Sequence, residues 1–199
     1  KKWWPADVHV IGKDILRFHA AIWPGMLLAA GLPLPRKIFV HGFITVEGEK
    51  MSKSVGNVVD PKELSKEYGS DALRYYLLRE IPSHEDGDFS MEKFKERYNA
   101  DLANGLGNFA ARVSTLADGI DLSGFRPNAD IEEKIKDTLH GAADSVSRFR
   151  LHDTVARIWA LIQFGDGYVN EHKPWENKDK QVIYDLTFLL YAIADFVEP

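Results

Sequence analysis

The sequence predicts an α/β fold that gives way to an all-α one, and three observations carry that reading. Two apolar, β-branched stretches, at 7–12 and 37–46, each run into a helical pattern, as in the β-loop-α units of a parallel sheet. A polar, lysine-bearing loop, Lys50-Met51-Ser52-Lys53-Ser54, separates the second stretch from its helix. Beyond 88 the strand signals stop, and apolar residues recur at helical spacing to the end of the chain. The expected organisation is the second half of a doubly wound, Rossmann-like α/β domain over 1–88, then an α-helical bundle over 89–199 that is truncated at its C-terminus.

Asp7-Val8-His9-Val10-Ile11-Gly12 is a short apolar run ending in glycine, which fits a buried parallel strand opening onto a crevice. Lys13 to Trp23 then reads as a helix with Ile15, Phe18, Ile22 and Met26 at core-facing spacing and a kink or stop at Pro24. Lys37 to Val46 reads as one strand closing at a Glu47-Gly48-Glu49 turn. Asp60 caps a helix from Pro61 to Tyr68, with proline at its first position and Glu63 three residues after the cap. Ser70 to Arg79 is a further helix packing Leu73, Tyr76 and Leu77 inward, and 81–88 reads as a boundary loop. Ser90 caps a long helix to about Asp118, 119–128 is a linker, and amphipathic helices follow at 129–149, 152–171 and 179–197.

Composition narrows the classes. The 199 residues are 45% hydrophobic with 5 tryptophans, enough for real cores. A net charge of −5 argues against nonspecific coating of nucleic acid, which needs a broad basic surface. With no cysteine the stretch holds no disulfide and no thiolate zinc site, so no metal site is expected in it, and cytoplasm is the default compartment. The apolar run from Trp23 to Leu34 is too short for a membrane span and is broken by Pro24, Gly25, Gly31 and Pro33. The chain begins at Lys1 without an initiator methionine and stops after a helical pattern, and we expect it to be a piece of a longer protein.

Four constellations can carry chemistry. Lys50 and Lys53 lie three apart on a loop able to close over a polyphosphate and neutralise a leaving group, although a lone Lys-x-x-Lys is more often a solvated basic turn. Gly12 permits close approach of a nucleotide, Lys13 can offset phosphate charge and Asp14 can accept from ribose hydroxyls; the same three residues also make an ordinary helix N-terminus. His19 and Trp23 share a helix face and suit a pocket for an uncharged side chain, or a core pair. Asn108 and Arg112 share another face, and Trp175 lies in a turn between helices. Together they offer base-edge hydrogen bonds and a stacking plane for unpaired RNA; the alternative is a polar helix face and a plug between helix ends.

The intact Lys-Met-Ser-Lys-Ser pentapeptide resembles the KMSKS signature of class I aminoacyl-tRNA synthetases. With Ile11-Gly12-Lys13-Asp14-Ile15, Phe18-His19, Trp23-Pro24 and Phe39-Val40-His41-Gly42, the chain resembles the methionyl-tRNA synthetase family over nearly its whole length. The resemblance implies ATP-dependent activation of methionine to an adenylate, with Mg2+, and transfer to tRNA(Met). It implies that Gly12, Lys13, Asp14, Lys50, Ser52 and Lys53 contact ATP, with Lys50 and Lys53 catalytic. It further implies that Ile15, His19 and Trp23 line the methionine pocket and that Asn108, Arg112 and Trp175 bind the anticodon. The family's His-Ile-Gly-His segment and zinc-bearing insertion have no counterpart here, so the N-terminal part of the same protein is an expected partner and this polypeptide alone is expected to be inactive. Valyl-, isoleucyl- and leucyl-type synthetases, or a catalytically silent tRNA-binding fragment, are the alternatives.

Overall fold

The structure is a computed structural model that describes residues 3–52, 54 and 56–198. It resolves into two compact units, Lys1–Val59 with Glu80–Phe89, and Asp60–Arg79 with Ser90–Pro199. The helices following Asp60 thus pack with the bundle, and the stretch after them returns to the strands, so compactness does not follow a single cut at 88/89.

In the first unit, β1 (Val8–Gly12) and β2 (Lys37–His41) pair in parallel, with Val8 opposite Lys37 and Gly12 opposite His41. A parallel pair needs a crossover, and here it is a helical run from Lys13 to Ala29. That run is not uniform. A 3-10 turn at Lys13–Ile15 leads into a π-helical turn at Phe18–Ile22 and then α1 (Trp23–Ala29). The Trp23 N–H reaches back to the Phe18 carbonyl, and the widened turn lets the chain pass Pro24, whose missing N–H and bulky ring would break a regular helix. The expected kink or stop at Pro24 is therefore a π turn with the helix continuing beyond it.

The apolar stripe on this helix departs from expectation. Ile15, Phe18, Ile22 and Met26 are 37, 56, 45 and 59% exposed, and only Leu27 in α1 is buried. Helical spacing identifies an apolar face; it does not say that this chain covers it.

The stretch 37–46 also divides. β2 ends at His41, and β3 (Ile44–Val46) belongs to a second sheet with β4 (Glu49–Lys50) and β5 (Gly87–Phe89), in the order β4-β3-β5. The break falls where Gly42 lies against the Glu85 carbonyl so closely that a Cβ would overlap it. β3 and β4 form a hairpin whose Glu47 and Gly48 have φ of 51° and 79°, the paired positive values of a tight two-residue turn. β5, which begins inside the stretch expected as loop and ends one residue past it, pairs in parallel with β3.

In the second unit, α2 (Pro61–Tyr68) is capped by Asp60, whose carboxylate accepts the Lys62 N–H at 2.8 Å. α3 (Ser70–Glu80) buries Leu73 and Tyr76, as expected, with Ala72 and Tyr75. α4 (Met91–Arg97) passes through a π stretch, Tyr98–Gly107, into α5 (Asn108–Ala117), matching the span expected for one long helix. α6 (Ala129–Ser147), α7 (Leu151–His172), the short α8 (Pro174–Asn177) and α9 (Lys180–Val197) complete it. Phe109, Leu161, Ile162, Val169, Leu186, Leu189 and Ile193, each 2% exposed or less, form the core shared by α5, α7 and α9. The linker before α6 is tied down by the fully buried Asp185, which accepts from the Asn128 backbone N–H, the Asn128 amide, the Tyr168 hydroxyl and the Gln181 amide. Burial, then the bond to Asp185, pushes the Tyr168 hydroxyl up to about 12.

Candidate functional site

His19 and Trp23 face one cavity of about 450 Å³, lined also by Trp4, His9, Phe18, Ile22 and Met26. The rings support one another: Trp4 meets Trp23 edge-on at 6.0 Å and His9 meets His19 edge-on at 6.1 Å. Trp4 is held by its indole N–H donating to the Pro33 carbonyl at 3.0 Å. The His19 Nδ1 lies 3.0 Å from the Ile15 carbonyl, which can only accept; Nδ1 therefore carries a proton and Nε2 is left for a ligand. The π turn sets these side chains, since it inserts its wide turn between His19 and Trp23. Ile15, expected in the same pocket, contributes its carbonyl to His19, and its half-exposed side chain does not line this cavity.

At the end of β1, a Cβ on Gly12 would crowd the Asp14 carboxylate at 2.7 Å, so the glycine leaves room for that side chain, which is itself exposed. Lys13 Nζ lies 2.6 and 2.5 Å from the two Asp86 oxygens and 4.6 Å from the centre of the Phe43 ring. Asp86 also accepts the Phe43 N–H at 2.7 Å. The Lys13 ammonium, and next the Phe43 N–H, hold the Asp86 carboxyl below the usual carboxylate range.

Lys50 is exposed at the end of β4. Asn57 spans the mouth of the loop that follows, donating to the Lys50 carbonyl at 3.2 Å and accepting the Ser52 N–H at 2.9 Å. Ser52 and Ser54 share a hydroxyl hydrogen bond of 2.7 Å. Lys53 lies outside the described residues. The approach is fixed from the other side by Asp88, which accepts from the Thr45 hydroxyl at 2.6 Å and the Gly48 N–H at 2.8 Å.

In the helical unit, Arg112 lies between two cavities. One, of about 420 Å³, is lined by Ala111, Thr115, Leu116 and Trp175; the other, of about 430 Å³, by Asn104, Asn108 and Asp166. The guanidinium is 5.5 Å from the Trp175 ring centre and donates to the Asn170 amide oxygen at 3.3 Å. Trp175, in α8, is 46% exposed. The three residues expected to act together are thus joined through Arg112. Among the described residues, no group of three His, Asp or Glu side chains is placed to hold a metal ion, and no helix is long and apolar enough to cross a membrane.

The family described as tRNA synthetases class I (M) matches residues 1–114. This chain belongs to that family. Curated methionine–tRNA ligases are similar to it throughout: that of Caldanaerobacter subterraneus is 45% identical over 98% of this chain and 32% of its own length, and that of Thermotoga maritima is 44% identical over 87% and 29%. The chain therefore spans about a third of the length of these relatives. Among solved structures, a Mycobacterium tuberculosis methionyl-tRNA synthetase in complex with methionyl-adenylate superposes with a TM-score of 0.86 at 39% identity, over 98% of this chain and 42% of the other. The free form from the same organism gives 0.86 at 32% identity.

For a class I synthetase of this group, sequence reasoning missed several residues of the site. Trp4 and His9 reach the aromatic cavity from a different element than His19, and no local spacing links them; the His9 Nδ1 is buried without a partner. Asp86, Asp88 and Asn57 act on neighbours distant in sequence or across a turn. The Glu-Asp-Gly-Asp run was the available signal for the first two, since acidic residues facing a lysine-bearing strand end suggest pairing.

Proposed function

We propose that this chain is the part of a methionine–tRNA ligase that carries one wall of the methionine pocket, the pyrophosphate-handling loop and the anticodon site. The observation that supports this most directly is the meeting of His19 and Trp23 in one aromatic cavity, in a chain whose first 114 residues match the family. A methionine side chain is uncharged, polarisable and unbranched, and its sulfur gains from contact with aromatic walls such as Trp4 and Trp23. The free Nε2 of His19 offers the pocket one polar contact.

In the proposed reaction the methionine carboxylate attacks the α-phosphorus of ATP, a carboxyl O–P bond forms, the bond to the β-phosphate oxygen breaks, and pyrophosphate leaves. The 3′-terminal ribose hydroxyl of tRNA(Met) then attacks the acyl carbon, AMP departs and the hydroxyl proton is released. Gly12, Lys13, Asp14 and Ser52 serve the nucleotide, and Lys50 and Lys53 neutralise charge accumulating on pyrophosphate. Mg2+ accompanies the phosphates of ATP as their counter-ion. The N-terminal part of the enzyme supplies the rest of the site, so the chain alone is inactive. A cytoplasmic location goes with this reading.

Charge on pyrophosphate builds in the transition state, so a lysine that acts there changes rate more than ground-state affinity. Lys53→Ala, in the enzyme containing this chain, lowers the single-turnover rate of adenylate formation by about 10²- to 10³-fold with little change in methionine affinity. An unchanged rate contradicts the assignment.

A further inference from the structure

The Lys13 side chain is held by residues far from it in sequence. Its ammonium donates to both Asp86 oxygens, at 2.6 and 2.5 Å, and sits 4.6 Å from the centre of the Phe43 ring. Asp86 also accepts the Phe43 N–H at 2.7 Å, so one carboxylate joins the turn after β1 to the break between β2 and β3. The backbone around Asp86 has little freedom. A Cβ on Gly42 would overlap the Glu85 carbonyl, one on Gly87 would overlap the Ile81 side chain, and the Gly87 N–H donates to the Phe43 carbonyl at 2.9 Å.

Stability is a weak reason for such a clasp. The Lys13 and Asp86 side chains are 43 and 49% exposed, and an exposed ion pair adds little to folding free energy. Attraction of ATP is a weak reason too, because the Asp86 charge cancels much of the lysine charge that a phosphate approaching from a distance would feel. What the clasp supplies is place. A lysine head on its flexible four-carbon stem otherwise samples many positions. Here it is fixed past the carboxyl end of β1, the side of a parallel sheet on which ligands bind. An ammonium has three N–H groups; two serve the Asp86 oxygens and the third is left for a phosphate oxygen.

We propose that Asp86 is a positioning residue for adenylate formation: it fixes the Lys13 ammonium so that the remaining N–H meets a phosphate oxygen on which charge builds as the methionine carboxylate attacks. This rests on the reading of Lys13 as an ATP contact in a methionine–tRNA ligase, and deepens it by naming the residue that acts through Lys13 and the step it serves.

A loosened lysine regains its full charge and holds ground-state ATP at least as well, but a misplaced head loses rate. The test is single-turnover adenylate formation at saturating ATP and methionine, together with equilibrium binding of ATP, in the enzyme containing this chain. Asp86→Asn keeps the side-chain size and an acceptor for the Phe43 N–H. It lowers the single-turnover rate by about 10- to 100-fold, while the dissociation constant for ATP is unchanged or falls. Lys13→Ala slows the reaction at least as much. In the Lys13→Ala background Asp86→Asn adds less than about two-fold, because Asp86 then has nothing to position. A merely structural role costs the same in both backgrounds. The proposal is overturned by that outcome, by an unchanged rate in Asp86→Asn or Lys13→Ala, by a loss confined to ATP affinity, or by thermal melts in which Asp86→Asn is unfolded. If the wild-type enzyme forms methionyl-adenylate and Lys13→Ala slows it while Asp86→Asn does not, the ligase reading stands and the Asp86 assignment falls; if the wild type forms none, both fall.

Discussion

A half-buried carboxylate costs folding free energy in its charged form, and at Asp166 that cost outweighs the opposing charge of Arg112, which lines the same cavity. The folded-state pKa of Asp166 is raised, so the folded chain favours the protonated form. The destabilisation is present above the folded pKa and fades as the pH falls through the carboxylate range. The Asp166→Asn chain therefore melts at a higher temperature than wild type at neutral pH, and the gap closes below about pH 4. Equal melting temperatures across that range contradict the burial argument. At Trp23 the expectation concerns the ligand: shortening an apolar wall changes discrimination by about 1–3 kcal/mol, so Trp23→Ala weakens methionine binding by that order, read by calorimetry on the enzyme containing this chain. Unaltered affinity, or an unfolded variant, makes Trp23 a core residue. At this scale the sequence was legible where two side chains share a helix face, as with His19 and Trp23 or Asn108 and Arg112. It was silent where partners come from separate elements, as with Trp4 and His9, or Lys13 and Asp86.

Among the elements, α7 shows how closely helices approach where side chains are absent. A Cβ on Gly165 would lie 2.5 Å from the Phe109 ring and 2.9 Å from Leu189, whereas one on Gly167 meets nothing within 4 Å. Gly165→Ala therefore destabilises the bundle by about 1–3 kcal/mol through overpacking, while Gly167→Ala stabilises it by up to about 1 kcal/mol through helix propensity. Urea unfolding midpoints of the two variants check the opposite signs. For α8, loss of the Trp175 ring in Trp175→Ala weakens binding of an anticodon stem-loop by about 1–3 kcal/mol and leaves the melting temperature within a few degrees of wild type. A variant binding RNA as wild type does contradicts the stacking role. Element spans were largely readable from periodicity and caps, as the helices 61–68 and 70–79 illustrate. The division of 37–46 was not, because Gly42 breaks the strand against Glu85, a contact made only in the folded unit. The course through Pro24 was not either, because a π turn stores its adjustment in backbone width and leaves no mark in apolar spacing.

Across the whole molecule, the exposed stripe of Phe18, Ile22 and Met26 and the aromatic cavity that it helps to line lie in a chain that spans about a third of the length of its relatives. In our reading they form one wall of a pocket that the rest of the enzyme completes. The central claim is that this wall serves methionine and no branched side chain, in an adenylation driven by ATP. It is tested most directly by ATP–pyrophosphate exchange in the enzyme containing this chain, with methionine, valine, isoleucine and leucine supplied in turn. The account predicts exchange that depends on methionine and falls to background with the three branched amino acids. Exchange supported equally by any of those three, or none stimulated by methionine, would contradict it.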